Sequence, residues 1–152
     1  MQGNNAVETL IGTTATTDMA TMLAGGRLTV SAIDSVIGTT GTADIVALLA
    51  AGNVGVSGIE TVLGTGASGD VVRQLVGGAL KVSDVATVIG TTGLTDALTL
   101  LDAGTVSISA IDSVVGSTVS YQVNLLAGGS VRVNAVETVY GLGGRVQVVT
   151  LG

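Results

Sequence analysis

Apolar and polar positions alternate along this chain in short runs that return at a fixed distance. Leu28 and Val30, Val54 and Val56, Leu80 and Val82, Val106 and Ile108, Val131 and Val133, and Val146 and Val148 each flank a single outward position. A period of two is the strand period, with one face buried. The residues between the pairs are Thr29, Gly55, Lys81, Ser107, Arg132 and Gln147. They share no chemistry, as expected where solvent rather than packing sets the choice.

A different spacing follows each alternation. Ile33, Val36 and Ile37 stand three and four apart, as do Ile59, Val62 and Leu63, and Ile111, Val114 and Val115. That spacing predicts a short amphipathic helix. Just before it comes Ser31, Ser57, Ser83, Ser109, Asn5 or Asn134, and three places on an acid: Asp34, Glu60, Asp112, Glu8 or Glu137. The pair predicts a capping box, in which the acid also complements the positive helix end. One copy departs, with Ala86 at the acid position and Asp84 in the first turn. A third pattern, Ile45, Leu48 and Leu49, recurs as Met19, Met22 and Leu23 and as Ala97, Leu100 and Leu101. It predicts a second helix, stopped by a glycine such as Gly52.

These patterns repeat as a block. Gly12, Gly38, Gly64, Gly90 and Gly116 stand 26 residues apart, and Gly141 follows after 25. Self-similarity at such a period marks a solenoid, whose units bury their apolar faces only against neighbouring units. The expected fold is therefore α/β: one repeat domain over residues 1–152, of about six strand-helix-helix coils at 1–26, 27–52, 53–78, 79–104, 105–129 and 130–152. Strands about 4.8 Å apart beside helices about 8–10 Å apart would bend the stack into an arc, with a parallel sheet on the inner face. A parallel β-solenoid of several short strands per coil is the alternative, favoured by the abundance of Thr, Val and Gly.

Composition narrows the function classes. The 152 residues are 47% apolar but hold two Tyr and no Phe or Trp, so the core must be thin. Proline, cysteine and histidine are absent. That removes disulfides, thiolate and imidazole metal sites, and the usual general base near neutral pH. No pair of acids stands outside the expected capping positions, so the chain is expected not to be an enzyme and to need no cofactor. A net charge of −6 with five basic residues (Arg27, Arg73, Lys81, Arg132 and Arg145) argues against nucleic acid. The uncharged run from Ser113 to Val131 is broken by Ser, Thr, Gln, Asn and Gly, so no membrane insertion is expected.

Several constellations invite a chemical reading. Asp18, Asp44, Asp70 and Asp96 recur at one position and could ladder Ca²⁺, although each more simply begins a helix; Tyr121 takes that place in the next unit. The loops Gly38 to Asp44 and Gly90 to Asp96 have the glycines of a phosphate cradle, but no Lys, and an Asp in the anion's place. Thr13 and Thr14, Thr39 and Thr40, Thr91 and Thr92, and Ser117 and Thr118 could line one corner as an ice-ordering stripe. Ser83 beside Lys81 is a weak nucleophile pair. Further departures from the repeat, at Arg73, Gln74, Asp102, Tyr121, Gln122 and Arg132, form no evident cluster along the sequence.

The two ends read as complementary: an initial unit short of its leading strand, and a final strand without its helices. Asn4, Asn5, Val7 and Leu10 at one end, and Val146, Val148, Val149 and Leu151 at the other, are the expected assembly interface. The expected function is a structural protein assembling head to tail into a filament or surface layer. The alternative is a soluble scaffold whose curved strand face, marked by Lys81 and Arg132, binds a protein or glycan. The acidic, cysteine-free, Thr- and Gly-rich composition resembles that of bacterial secreted adhesins and surface-layer proteins, without their calcium nonapeptide repeats. That resemblance implies an extracellular or cell-surface location, and since "MQGNNAVETL" lacks the pattern of a signal peptide, a non-classical route.

Overall fold

The computed structural model describes residues 8–14, 17–41, 43–117, 120–141 and 147–151. They form strands and corners and no helix. Numbered along the chain, nine strands make one sheet: β1 (Glu8–Ile11), β3 (Arg27–Ser31), β5 (Ile45–Leu48), β7 (Thr61–Leu63), β9 (Gly78–Ser83), β11 (Asp96–Leu100), β13 (Ser113–Val115), β15 (Gly129–Asn134) and β17 (Gln147–Leu151). Eight make the other: β2 (Met19–Thr21), β4 (Ser35–Ile37), β6 (Asn53–Ser57), β8 (Val71–Gln74), β10 (Thr87–Ile89), β12 (Gly104–Ser109), β14 (Tyr121–Leu125) and β16 (Thr138–Tyr140). Consecutive strands alternate between the sheets, and each strand pairs in parallel with the strands two before and two after it. The molecule is a parallel β-solenoid with two strands per turn.

The strand-helix-helix coil is therefore corrected to the all-strand alternative. The helical spacing was real but had another source. Ile33, Ile59 and Ile111 are buried residues of short corners, and Val36, Val62 and Val114 are the inward residues of the strands that follow. A corner shifts the phase of a period-two pattern, and the sum imitates a period near 3.6. The supposed second helix fails on the same count. In β5 the buried residues are Val46 and Ala47, whereas Leu49 is 57% exposed and its counterpart Leu23 is 94% exposed. Segments of three to six residues between corners are also too short to offset helix nucleation, and Val, Ile and Thr favour the extended chain. Without a helical layer the predicted arc loses its cause.

The sequence repeat and the structural turn differ in length. Glu8 pairs with Leu28, Arg27 with Ile45 and Ile45 with Thr61, so successive turns take 20, 18 and 16 residues. The cycle then returns, with Thr61 on Lys81, Gly78 on Asp96 and Ala97 on Ser113. Each 26-residue unit supplies three strands while a turn uses two, so one unit spans one and a half turns. Equivalent strands consequently fall on opposite sheets: β3, β9 and β15 on one, β6 and β12 on the other. One apolar pattern thereby builds both walls.

Between the walls lies the thin core that the composition demanded. Val36, Val46, Val62, Val72, Val88, Val114 and Val123 are fully buried, with Leu80, Leu98 and Ile108 nearly so. Each contributes about 1.5–3 kcal/mol of apolar burial. Aliphatic side chains of this size fill sheets packed about 10 Å apart. Tyr121 is the one aromatic side chain in the buried cluster.

Candidate functional site

The corners carry most of the polar chemistry, and they interlock from turn to turn. At four of the long corners a buried or half-buried aspartate, Asp18, Asp44, Asp70 or Asp96, faces back on its own loop. Asp44 Oδ2 accepts from the Thr39 amide at 2.5 Å and the Thr39 hydroxyl at 2.7 Å. Asp18 with Thr13, Asp70 with Thr65 and Asp96 with Thr91 repeat the arrangement. The amide of the aspartate itself is met from the next turn: Asp34 accepts from Asp18 N, Glu60 from Asp44 N, Asp112 from Asp96 N, and Glu137 from Tyr121 N, at 2.5–2.8 Å.

The acids expected in capping boxes therefore do accept from backbone amides, but across turns rather than along a helix. Each such pair is 16 residues apart. That recurring separation, which is also one of the turn lengths, was the signal in the sequence for this role. A carboxylate so held joins rung to rung by hydrogen bonds of about 1.5–3 kcal/mol each. Asp44, Asp70 and Asp96 are fully buried, and such burial is tolerated only with partners of this kind.

Gly12, Gly38, Gly64, Gly90 and Gly116, just before these corners, are needed for close approach: a Cβ at Gly90 would lie 2.1 Å from the Ala110 carbonyl oxygen. Left-handed residues stand in the next turn at Ala32, Gly58, Asp84, Ala110 and Ala135, with φ of 51–63°, and within the loops themselves at Gly41, Gly66 and Gly93, with φ of 77–92°.

The structure settles the other chemical readings. The aspartates at one repeat position alternate between the two edges of the solenoid, so Asp44 and Asp96 are three turns apart and no Ca²⁺ ladder forms. Among the described residues no group of three or more metal-ligating side chains occurs. In the two glycine-rich loops the Asp44 and Asp96 carboxylates occupy the nest that an anion would need. The threonine stripe is split over both edges, and the hydroxyls of Thr13, Thr39, Thr65 and Thr91 are turned to aspartates. Ser83 donates to Asp102 at 2.6 Å while Lys81 is exposed. Lys81 and Arg132 lie on the outer face of one sheet, with two strands between theirs.

Of the expected assembly residues, Asn4, Asn5, Val7 and Val146 lie outside the described residues. Leu10 sits in β1, 40% exposed, beside Ile11 at 70%. Val148, Val149 and Leu151 belong to β17, where they pair with Ser130, Val131 and Val133 of β15. Among the described residues β1 and β17 are bonded on one side only, as are β2 and β16 in the second sheet.

Tyr121 replaces the aspartate of the repeat and is buried. Burial raises its pKa above 10; the Asp102, Asp84 and Glu137 carboxylates act in the same direction and the Ser117 side chain opposes. No family model matches this chain, and no curated protein or solved structure is similar to it.

Proposed function

We propose that this chain is a structural, non-enzymatic scaffold that stacks head to tail on further copies of itself, building a filament or a surface layer. The observation that carries the reading is the one-sided pairing of β1, β2, β16 and β17 among the described residues. An unpaired parallel edge offers a row of N–H and C=O groups to any strand of matching direction. Every pair in both sheets is parallel, so a copy added in the same direction continues the hydrogen bonding at the existing spacing of about 4.8 Å. Exposed Ile11 and Met19, at 70% and 65%, lie on the strands that would be covered.

Light scattering and negative-stain microscopy of the purified protein over a hundredfold concentration range test this. Particles that lengthen with concentration, with a fibre reflection near 4.8 Å along the axis, are the expected result. A monomer at every concentration refutes it.

A further inference from the structure

The order of strands limits how two copies can meet end to end. Each unit contributes three strands, and equivalent ones recur at every third place. β1, β4, β7, β10, β13 and β16 each end just before the glycine that opens a long corner. β2, β5, β8, β11, β14 and β17 follow that corner, and β3, β6, β9, β12 and β15 come next. Because partners lie two places apart, the strand stacked after a member of the second class is always of the first: β4 on β2, β7 on β5, β10 on β8, β13 on β11 and β16 on β14. β17 belongs to the second class and β1 to the first. Among the described residues, strands of one class never pair with each other.

Two residues of β1 hold places where their equivalents meet a preceding turn. Leu10 holds the place of Val36, Val62, Val88 and Val114, which are fully buried, yet it is 40% exposed. Glu8 holds the place of Asp34, Glu60, Asp112 and Glu137, each of which accepts from the backbone amide 16 residues before it. Glu8 is exposed and accepts no hydrogen bond among the described residues. At the other end, Gln147 pairs with Gly129 as Tyr121 does with Gly104 and Asp96 with Gly78, so its amide is the equivalent of those that such an acid meets. The register of β16 on β14 sets Gln122 against Thr138 and Val123 against Val139. Carried over, it sets Val148 against Thr9 and Val149 against Leu10. One event thus serves both residues: β1 of a second copy laid on β17 brings Glu8 to the Gln147 amide and covers Leu10.

A competing junction differs in rotation. The seventeen described strands make eight and a half turns at two strands per turn. Closing up on these strands alone would turn the added copy by half a turn and set β1 on β16 and β2 on β17, like against like. Without rotation, one strand place stands in the second sheet between β16 and the added β2. That is the place residues 1–5 hold in the 26-residue period, one period before β3. Nine whole turns then carry one copy to the next, about 43 Å at about 4.8 Å per turn. We propose that, in the head-to-tail stack on which this inference rests, copies meet without rotation: β1 lies on β17 with Thr9 against Val148 and Leu10 against Val149, and Glu8 accepts from the Gln147 amide of the neighbouring copy.

The chain has no cysteine, so Thr9→Cys and Val148→Cys, made in separate copies and mixed, report the junction. Their Cα atoms, about 4.8 Å apart across a parallel pair, lie within reach of a disulfide. Oxidation is expected to give dimers linked between positions 9 and 148, identified by mass spectrometry of the joined peptides. Their yield should exceed by about tenfold or more that from Thr9→Cys mixed with Thr138→Cys on β16. Glu8→Ala alters an exposed side chain, and circular dichroism reports whether the fold is kept. It should raise the concentration at which particles lengthen by about tenfold or more. Mixtures that lengthen yet link position 9 to 138, or to neither, would overturn this geometry and leave the stacking itself standing. An unchanged lengthening concentration in folded Glu8→Ala would overturn it too. A wild-type monomer at every concentration would remove both.

Discussion

Replacing Gly90 by alanine perturbs the contact on which the stacking of turns depends. The new Cβ would lie 2.1 Å from the Ala110 carbonyl oxygen, 2.6 Å from Asp96 Oδ2 and 2.9 Å from Ile111 Cδ1. An ordinary contact begins near 3.4 Å, so the corner at 110–112 must move by about 1 Å or more. That motion pulls on Gly90 N to Ser109 O at 2.8 Å, on Asp112 N to Asp96 O at 3.0 Å, and on Asp96 N to Asp112 Oδ2 at 2.8 Å. Two neutral bonds at about 1 kcal/mol each, and one charge-assisted bond at about 1.5–3, give a destabilisation of about 3–5 kcal/mol. Gly52 is the control. Nothing lies within 4 Å of a Cβ built there and its φ is not positive, so Gly52→Ala is expected to be neutral or to stabilise by up to about 1 kcal/mol through the unfolded chain. Urea unfolding followed by circular dichroism compares them; with a slope of about 1–3 kcal/mol/M, Gly90→Ala lowers the midpoint by about 1–5 M. Hydrogen exchange at the Asp112 amide locates the damage even if the repeat array unfolds in parts. Midpoints for the two variants within about 0.3 M of each other would refute the close-approach argument.

Three further outcomes follow from the same corners. Asp96→Ala removes the acceptor of the Thr91 amide and hydroxyl and leaves that amide without its carboxylate, so unfolding in urea should show a loss of about 3 kcal/mol or more. Ala110→Gly relieves a left-handed alanine with φ 54° and should raise the thermal midpoint, by about 0.5–1 kcal/mol in free energy after the glycine's entropic cost. Tyr121 has its folded pKa raised above 10 by burial, so the folded state binds its proton more tightly than the unfolded chain. The stability linked to it is present below pH 10 and is lost as pH climbs from about 10 through the folded value. Urea midpoints measured from pH 8 to 11.5 should fall above pH 10, and Tyr121→Phe should flatten that fall.

Residue order alone established the repeat, the alternating strands of each unit, the thin aliphatic core and the exclusion of imidazole and thiolate chemistry, since all of these follow from side-chain period and composition. Only the tertiary structure decided that Ile33 and Val36 belong to a corner and a strand, because a corner changes the phase of a pattern without leaving a mark on its spacing. The pairing of Asp18 with Asp34, or of Asp96 with Asp112, was present as a constant separation, yet its meaning depended on the length of a turn, which the strand register sets and the 26-residue period conceals. Asp84, Ala86, Asp102 and Tyr121 were visible one by one as departures from the repeat. That their corners share one edge arises because three strands per unit and two per turn bring distant corners together, a relation that exists only once the chain is wound.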